Sequence, residues 1–189
     1  MNILPKQYEN DLENMVKEVP YFFHPNTSYA PDDPFREHFE KLSQNGNIIE
    51  NGQFTHPVFD DGQILSNQYG MIYPILYIFA EQIKLTVKQI HRIRINLLTQ
   101  DKTFTEKNYN FPHSDAVGEH VFTYYVNDCD GDTILFNEFE NETLPQEFTI
   151  KERISPQKGL GTFFECKRYH ASSNPRTSQF RYIINFNFS

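Results

Sequence analysis

The chain has 189 residues, enough for one domain that buries a core without staples, and a formal net charge of -8. Without a basic footprint, its composition argues against duplex nucleic acid or a membrane surface as main partner. There are only two cysteines, Cys129 and Cys166, and no signal peptide in the charged start. Free thiols in a reducing cytoplasm are therefore expected, and the longest apolar run, Met71 to Ala80, is too short to span a bilayer and contains Pro74, so a soluble protein is expected.

In chain order, residues 5–18 predict a short polar helix and Pro34 to Leu42 a second, with Asp32 or Asp33 near its start. Tyr21-Phe22-Phe23-His24 and Phe54 to Phe59 are aromatic-rich segments in an otherwise polar half. The area such residues bury makes them expected anchors of that half on the core rather than substrate-stacking groups. From Pro74 to about Ile90, the residues Ile75, Phe79, Ile83, Val87 and Ile90 recur at helical spacing, one stripe of an amphipathic helix that packs on a sheet. Arg92 to Leu98 alternates Ile93, Ile95 and Leu97 with Arg92, Arg94 and Asn96, the first strand. Further strand-like runs follow at His120 to Asn127, Asp132 to Phe136, Phe148 to Ser155, Gly161 to Glu165 and Phe180 to Phe188. Asp128 to Asp132 reads as a solvated hairpin turn; it is rich in carboxylates but lacks the remaining ligands of a calcium loop. Adding the segment near His113 and a short piece carrying His170 makes eight strands, the number of a jelly roll whose two sheets face each other across a ligand mouth. No repeat, low-complexity stretch or linker divides the helical first half from the strand-rich second.

The chemistry-bearing residues concentrate in that second half. His113 and Asp115 are two apart, so on an extended segment both side chains point the same way and can share one ion, although such a pair is common by chance. With His170, expected just after a strand, they supply two imidazoles and a carboxylate. That set leaves one face of a non-haem iron open for other ligands. His24, His38, His56, His91 and His120 have no partner at such spacing; His120, at the start of a strand, is the nearest rival. On the last strand Arg181, Ile183, Asn185 and Asn187 share a face, and the two amides are candidate pocket residues because interior amides need partners.

Together, His113, Asp115, His170 and the phrase Phe180-Arg181-Tyr182-Ile183 resemble the Fe(II)- and 2-oxoglutarate-dependent dioxygenase superfamily. The likeness covers roughly residues 90–189 and lies with the prolyl-4-hydroxylase-like branch, most of all its small phage-encoded members. It implies a mainly β protein: a double-stranded β-helix core over residues 92–189, buttressed by helices and loops of residues 1–91, in a single domain. It also implies Fe(II) on His113, Asp115 and His170. Arg181 would grip the distal carboxylate of 2-oxoglutarate, for which a rigid, permanently charged guanidinium fork is well suited. Arg176 follows Pro175 in a turn-like stretch and is the weaker competitor. Tyr125, in the phrase Tyr124-Tyr125-Val126-Asn127, would donate to the same carboxylate, and Asn185 would line the cosubstrate pocket; the bland reading of Tyr125 is an aromatic packed in a sheet.

The implied activity is hydroxylation of a C–H bond, with release of succinate and CO2, using O2 and with ascorbate in support. Asp115 favours hydroxylation over halogenation, because it fills the position a halide would need. A prolyl residue of a peptide or protein is one implied substrate; a free amino acid or other small molecule is another. The loop from Gln100 to Phe111 and the segment Ala171 to Gln179 are expected to flank the mouth. A monomer or weak dimer in the cytoplasm, or a host cytoplasm if phage-encoded, completes the expectation. Two rival readings are a non-enzymatic jelly-roll binding or structural module of viral origin, and a cupin-like metal enzyme that does not use 2-oxoglutarate.

Overall fold

Alternation of apolar and polar residues decides which side of each strand meets the core. A computed structural model describes residues 3–28, 33, 35–43, 46–141 and 143–189. Its elements run α1 (Lys6–Glu18), β1 (Phe22–His24), α2 (Arg36–Ser43), β2 (Gln53–Asp60), β3 (Gln63–Ile64), α3 (Tyr69–Gln82), β4 (Ile90–Thr99), β5 (His120–Tyr125), β6 (Thr133–Phe139), β7 (Ile150–Ile154), β8 (Gly161–Glu165), β9 (Arg168–Ser172) and β10 (Phe180–Phe188). A seven-stranded sheet has the order β1-β2-β4-β10-β5-β8, with β3 attached to β2, and a three-stranded sheet has the order β7-β6-β9. All the paired strands are antiparallel. This mostly β arrangement fits a jelly-roll core.

On β4, Ile93, Ile95 and Leu97 turn to one side and join Phe122, Tyr124, Ile184, Phe186 and Phe188 of neighbouring strands in one apolar cluster. Leu12 and Val16 of α1 and Ile72, Ile75, Leu76 and Phe79 of α3 belong to the same cluster. The Phe79 and Phe122 rings stack at 3.9 Å between centroids. Each such side chain contributes roughly 1.5–3 kcal/mol on burial, so the polar residues of β4 and β10 are left to the opposite face. Val121, Leu135, Phe164 and Cys166 form a smaller cluster that joins the two sheets. Both cysteines are free and buried. No helix among the described residues is long and apolar enough to cross a membrane.

Several elements differ from the expectation. The first half is not only helix and loop: β2 lies beside β4 in register from Phe54 opposite Leu97 to Asp60 opposite Arg92. Pro57 disguises this strand, and the ladder tolerates it beside a register shift between Pro57 and Phe59, past the end of β1, which pairs only with residues 53–55. α3 begins at Tyr69 and stops at Gln82, well before Ile90. Lys84 takes a left-handed φ of 57°, its N–H donates to the Glu81 carbonyl, and that of Leu85 reaches back to the Ala80 carbonyl at 2.8 Å. That is a Schellman stop, here without the usual glycine. Val87 and Ile90 therefore continue the apolar spacing outside the helix. Tyr21 packs against the large cluster, but Phe22 and Phe23 of β1 are 59% and 61% exposed, so only part of that aromatic segment is an anchor. Of the expected helix start, Asp32 and Pro34 lie outside the described residues, but Asp33 accepts the Phe35 N–H at 2.8 Å just ahead of α2.

Candidate metal and cosubstrate site

His113 lies ahead of β5, yet it pairs with the middle of β9 through an isolated antiparallel bridge. Its N–H donates to the His170 carbonyl at 2.9 Å, and the His170 N–H returns the bond at 2.8 Å. Asp115 N–H donates to the Cys166 carbonyl at 2.9 Å. These backbone bonds bring the three side chains together, with one possible ligand atom from each lying within 4.8 Å of the others. His170 thus follows β8 in a short strand of its own, β9, as expected, whereas the segment around His113, expected as a strand, is a single bridge. The side chains of His170 and Asp115 are only 10% and 12% exposed.

Each imidazole is oriented by its own backbone. His113 Nδ1 lies 3.3 Å from the Phe111 carbonyl and His170 Nδ1 lies 3.1 Å from the Arg168 carbonyl. With Nδ1 as the donor, Nε2 carries the lone pair, the tautomer a metal needs. Burial, with the neighbouring His170, pulls the His113 pKa down to about 4. Burial pushes Asp115 the other way, but His170, Arg92, His113 and the Asn187 amide outweigh it and hold its carboxyl at about 2. At neutral pH the pair therefore offers a neutral imidazole and an ionised carboxylate. Two imidazoles and one carboxylate of this kind fit a divalent transition metal.

Asp115 is itself held. Arg92 Nη2 donates to its Oδ1 at 2.7 Å, the Asn187 amide to Oδ2 at 3.0 Å, and Arg92 Nε to the Asn187 oxygen at 3.1 Å. Asn187, read from sequence as a pocket-lining candidate, orients the carboxylate instead. Arg92 read only as the polar face of a strand; its place opposite Asn187 in the β4–β10 register is the signal that would have found it.

Arg181 is the second residue of β10 and 2% exposed. Nε donates to the Gly131 carbonyl at 2.8 Å and Nη2 to the Thr133 hydroxyl at 2.7 Å. It has no carboxylate partner among the described residues. Burial lowers its pKa from the ordinary value, but a guanidinium starts so far above neutrality that it stays charged. A buried, hydrogen-bonded cation that makes no ion pair among the described residues has the chemistry to receive an anion. Tyr125 stands one step behind it: its hydroxyl donates to Thr133 at 3.0 Å and lies 2.6 Å from the Thr162 hydroxyl. Thr133 was not legible, since a threonine opening a strand reads as an ordinary β-former. Asn185 faces the cavity and accepts from the Thr123 hydroxyl at 2.7 Å. Arg176 sits in a bend, 3.5 Å from Asp130.

The segment at 128–132 is not a solvated hairpin. It crosses from one sheet to the other, Asp130 accepts N–H bonds from Arg176, Thr177 and Ser178, and buried Asp132 takes bonds from Arg153 and Ser155. His120 is remote from the three-residue cluster, packed against Phe163 and Phe188. His24, His38, His56 and His91 each hydrogen-bond to other protein groups.

A cavity of about 340 Å³ connects His113, Asp115 and His170 with Arg181. Its mouth differs from the expectation. Ala171 and Ser172 line it, but no residue from 100–111 does; instead Thr27, Ser28, Asp33, Gln53 and Thr55 contribute from the first half of the chain.

No protein-family model matches the sequence, and no curated protein matches it. Solved structures do resemble the fold. AviO1 from Streptomyces viridochromogenes Tue57 aligns with a TM-score of 0.62 at 10% identity, over 100% of this chain and 86% of that one. The carbocyclase SnoK from nogalamycin biosynthesis, non-heme and alpha-ketoglutarate-dependent, gives 0.53 at 10% identity, over 100% and 85%. An oxidoreductase of the 2OG-Fe(II) oxygenase family from Burkholderia pseudomallei gives 0.51 at 13% identity, over 96% and 90%. At these identities the likeness is one of architecture: the chain has the fold seen in structures of 2OG-Fe(II) oxygenases.

Proposed function

We propose that the protein is a non-haem Fe(II)- and 2-oxoglutarate-dependent dioxygenase that hydroxylates a C–H bond. The observation that carries this reading is the pairing, in one cavity, of a His-Asp-His cluster with a buried guanidinium that makes no ion pair among the described residues. His113, Asp115 and His170 would hold the iron, and Arg181 the distal carboxylate of the cosubstrate. Loaded with both, the site would supply oxidative hydroxylation by O2, with succinate and CO2 as co-products. The chain's own contribution is orientation and water exclusion. Arg92 and Asn187 fix the carboxylate of Asp115. Thr133, backed by Tyr125 and Thr162, fixes the fork of Arg181, so Tyr125 acts through Thr133. Asn185 lines the space between the two ends.

Purified protein supplied with Fe(II), 2-oxoglutarate, O2 and ascorbate is expected to form succinate above a metal-free control even without its true substrate, by uncoupled turnover. Bound iron and bound 2-oxoglutarate without any succinate, across peptide and amino-acid panels, would instead favour a binding module.

A further inference from the structure

Arg92, Arg94 and Asn96 occupy the cavity face of β4, and their roles differ. Arg92 is committed to Asp115 and Asn187. Arg94 is held more loosely: among the described residues it pairs with Asp60 at 3.4 Å, and the two side chains are 40% and 43% exposed. That distance is long for an N–H···O bond. Two residues on, the Asn96 Oδ1 is buried with no hydrogen-bond partner although the residue lines the cavity. Buried amide oxygens are ordinarily satisfied, so this one awaits a donor. Residues i and i+2 share a strand face roughly 7 Å apart, within the span of one small molecule.

Charged groups single out one fork. Three guanidiniums on the cavity wall, from Arg92, Arg94 and Arg181, face the carboxylates of Asp33 and Asp115, and Asp60 lies 3.4 Å from Arg94. A divalent iron with doubly negative 2-oxoglutarate leaves that balance unchanged. Asp60 and Glu50 stand off the wall; Glu50 accepts the N–H groups of Phe111 and Thr27. Arg92 holds Asp115 and Arg181 takes the cosubstrate, so the fork with only a long, half-exposed pair to give up is that of Arg94.

We propose, resting on the oxygenase reading, that the substrate is a small molecule with one free carboxylate, gripped by Arg94 at the mouth, and a neighbouring hydrogen-bond donor that meets Asn96 Oδ1. A phosphate monoester brings close to two charges to a single fork. An internal prolyl residue of a peptide brings no carboxylate to the fork. α-Amino and α-hydroxy acids have both features. Arg94 and Asn96 are thereby specificity-determining residues.

The test uses the anaerobic protein loaded with Fe(II) and 2-oxoglutarate, titrated with a panel of α-amino and α-hydroxy acids and the carboxamide of each. Binding is read by calorimetry and by the change in the visible band of the iron chelate. At least one acid should bind, with its carboxamide weaker by about tenfold or more, the loss of one charge-assisted fork. Arg94→Gln should bring acid and carboxamide within about threefold of each other while leaving iron content and 2-oxoglutarate affinity unchanged. Equal binding of acids and carboxamides, binding by no acid in the panel, or a drop in 2-oxoglutarate affinity in Arg94→Gln would each overturn the proposal. Failure of the unmodified protein to form the iron chelate at all would overturn the oxygenase reading beneath it, a result visible before any panel compound is added.

Discussion

The imidazole of His170 emerges from the middle of β9, fixed by two backbone bonds to His113 and by its own Nδ1 contact to the Arg168 carbonyl. Replacing it with Ala removes one of three donors while the ladder stays, so His170→Ala should lose nearly all its iron after desalting, measured by metal analysis. His120→Ala, which disturbs only ring packing against Phe163 and Phe188, should retain it. The opposite ranking would move the ligand set. Arg181 and Arg176 separate in the same way. Truncating one partner of a buried charge-assisted pair costs on the order of 2–5 kcal/mol, so Arg181→Ala should weaken 2-oxoglutarate by thirtyfold to several thousandfold in calorimetry. Arg176, tied to Asp130 at the surface, should change it less than about threefold when replaced by Ala. The sequence pointed to residues whose chemistry is rare in a core, two histidines, an aspartate and an arginine, of which His170 and Arg181 stand in strands. Thr133, Asn187 and Arg92 were illegible in their roles because each acts through a contact made only when distant strands meet.

At the scale of elements, the segment between β5 and β6 connects the two sheets and carries the carbonyl that Arg181 holds. Gly131 is required there by close approach: an added Cβ would lie 2.6 Å from the Ser173 carbonyl oxygen, 2.9 Å from Pro175 N and 3.1 Å from Arg181 Cδ. Gly131→Ala should therefore weaken 2-oxoglutarate by about tenfold or more, as a displaced fork loses its bidentate geometry, while iron content holds. Calorimetry with metal analysis checks this; an unaltered 2-oxoglutarate affinity would show that Arg181 does not depend on this crossing. The strands β4, β5, β8 and β10 could be read from alternation within a residue or two, because each has one face in a core. The end of α3 could not, since a lysine in left-handed conformation stops it where the apolar spacing continues. β2 was hidden by Pro57, which is tolerable only because neighbouring strands end or shift beside it.

Across the whole molecule the net charge is -8, while three guanidiniums and two carboxylates line the cavity. Bulk composition therefore says little about a local site that carries several guanidiniums. The first half of the chain read as mere support because Thr27, Gln53 and Thr55 carry no signature until the fold brings them to the cavity, the last two on β2. The central claim is that one cavity joins an iron-binding cluster to a 2-oxoglutarate anchor, and an anaerobic titration of the protein with Fe(II) and then 2-oxoglutarate tests it most directly. The account predicts a weak visible charge-transfer band that saturates at one iron and one 2-oxoglutarate per chain and is absent without either. Iron that binds without 2-oxoglutarate ever producing the band, or a chain that takes up no iron, would contradict it.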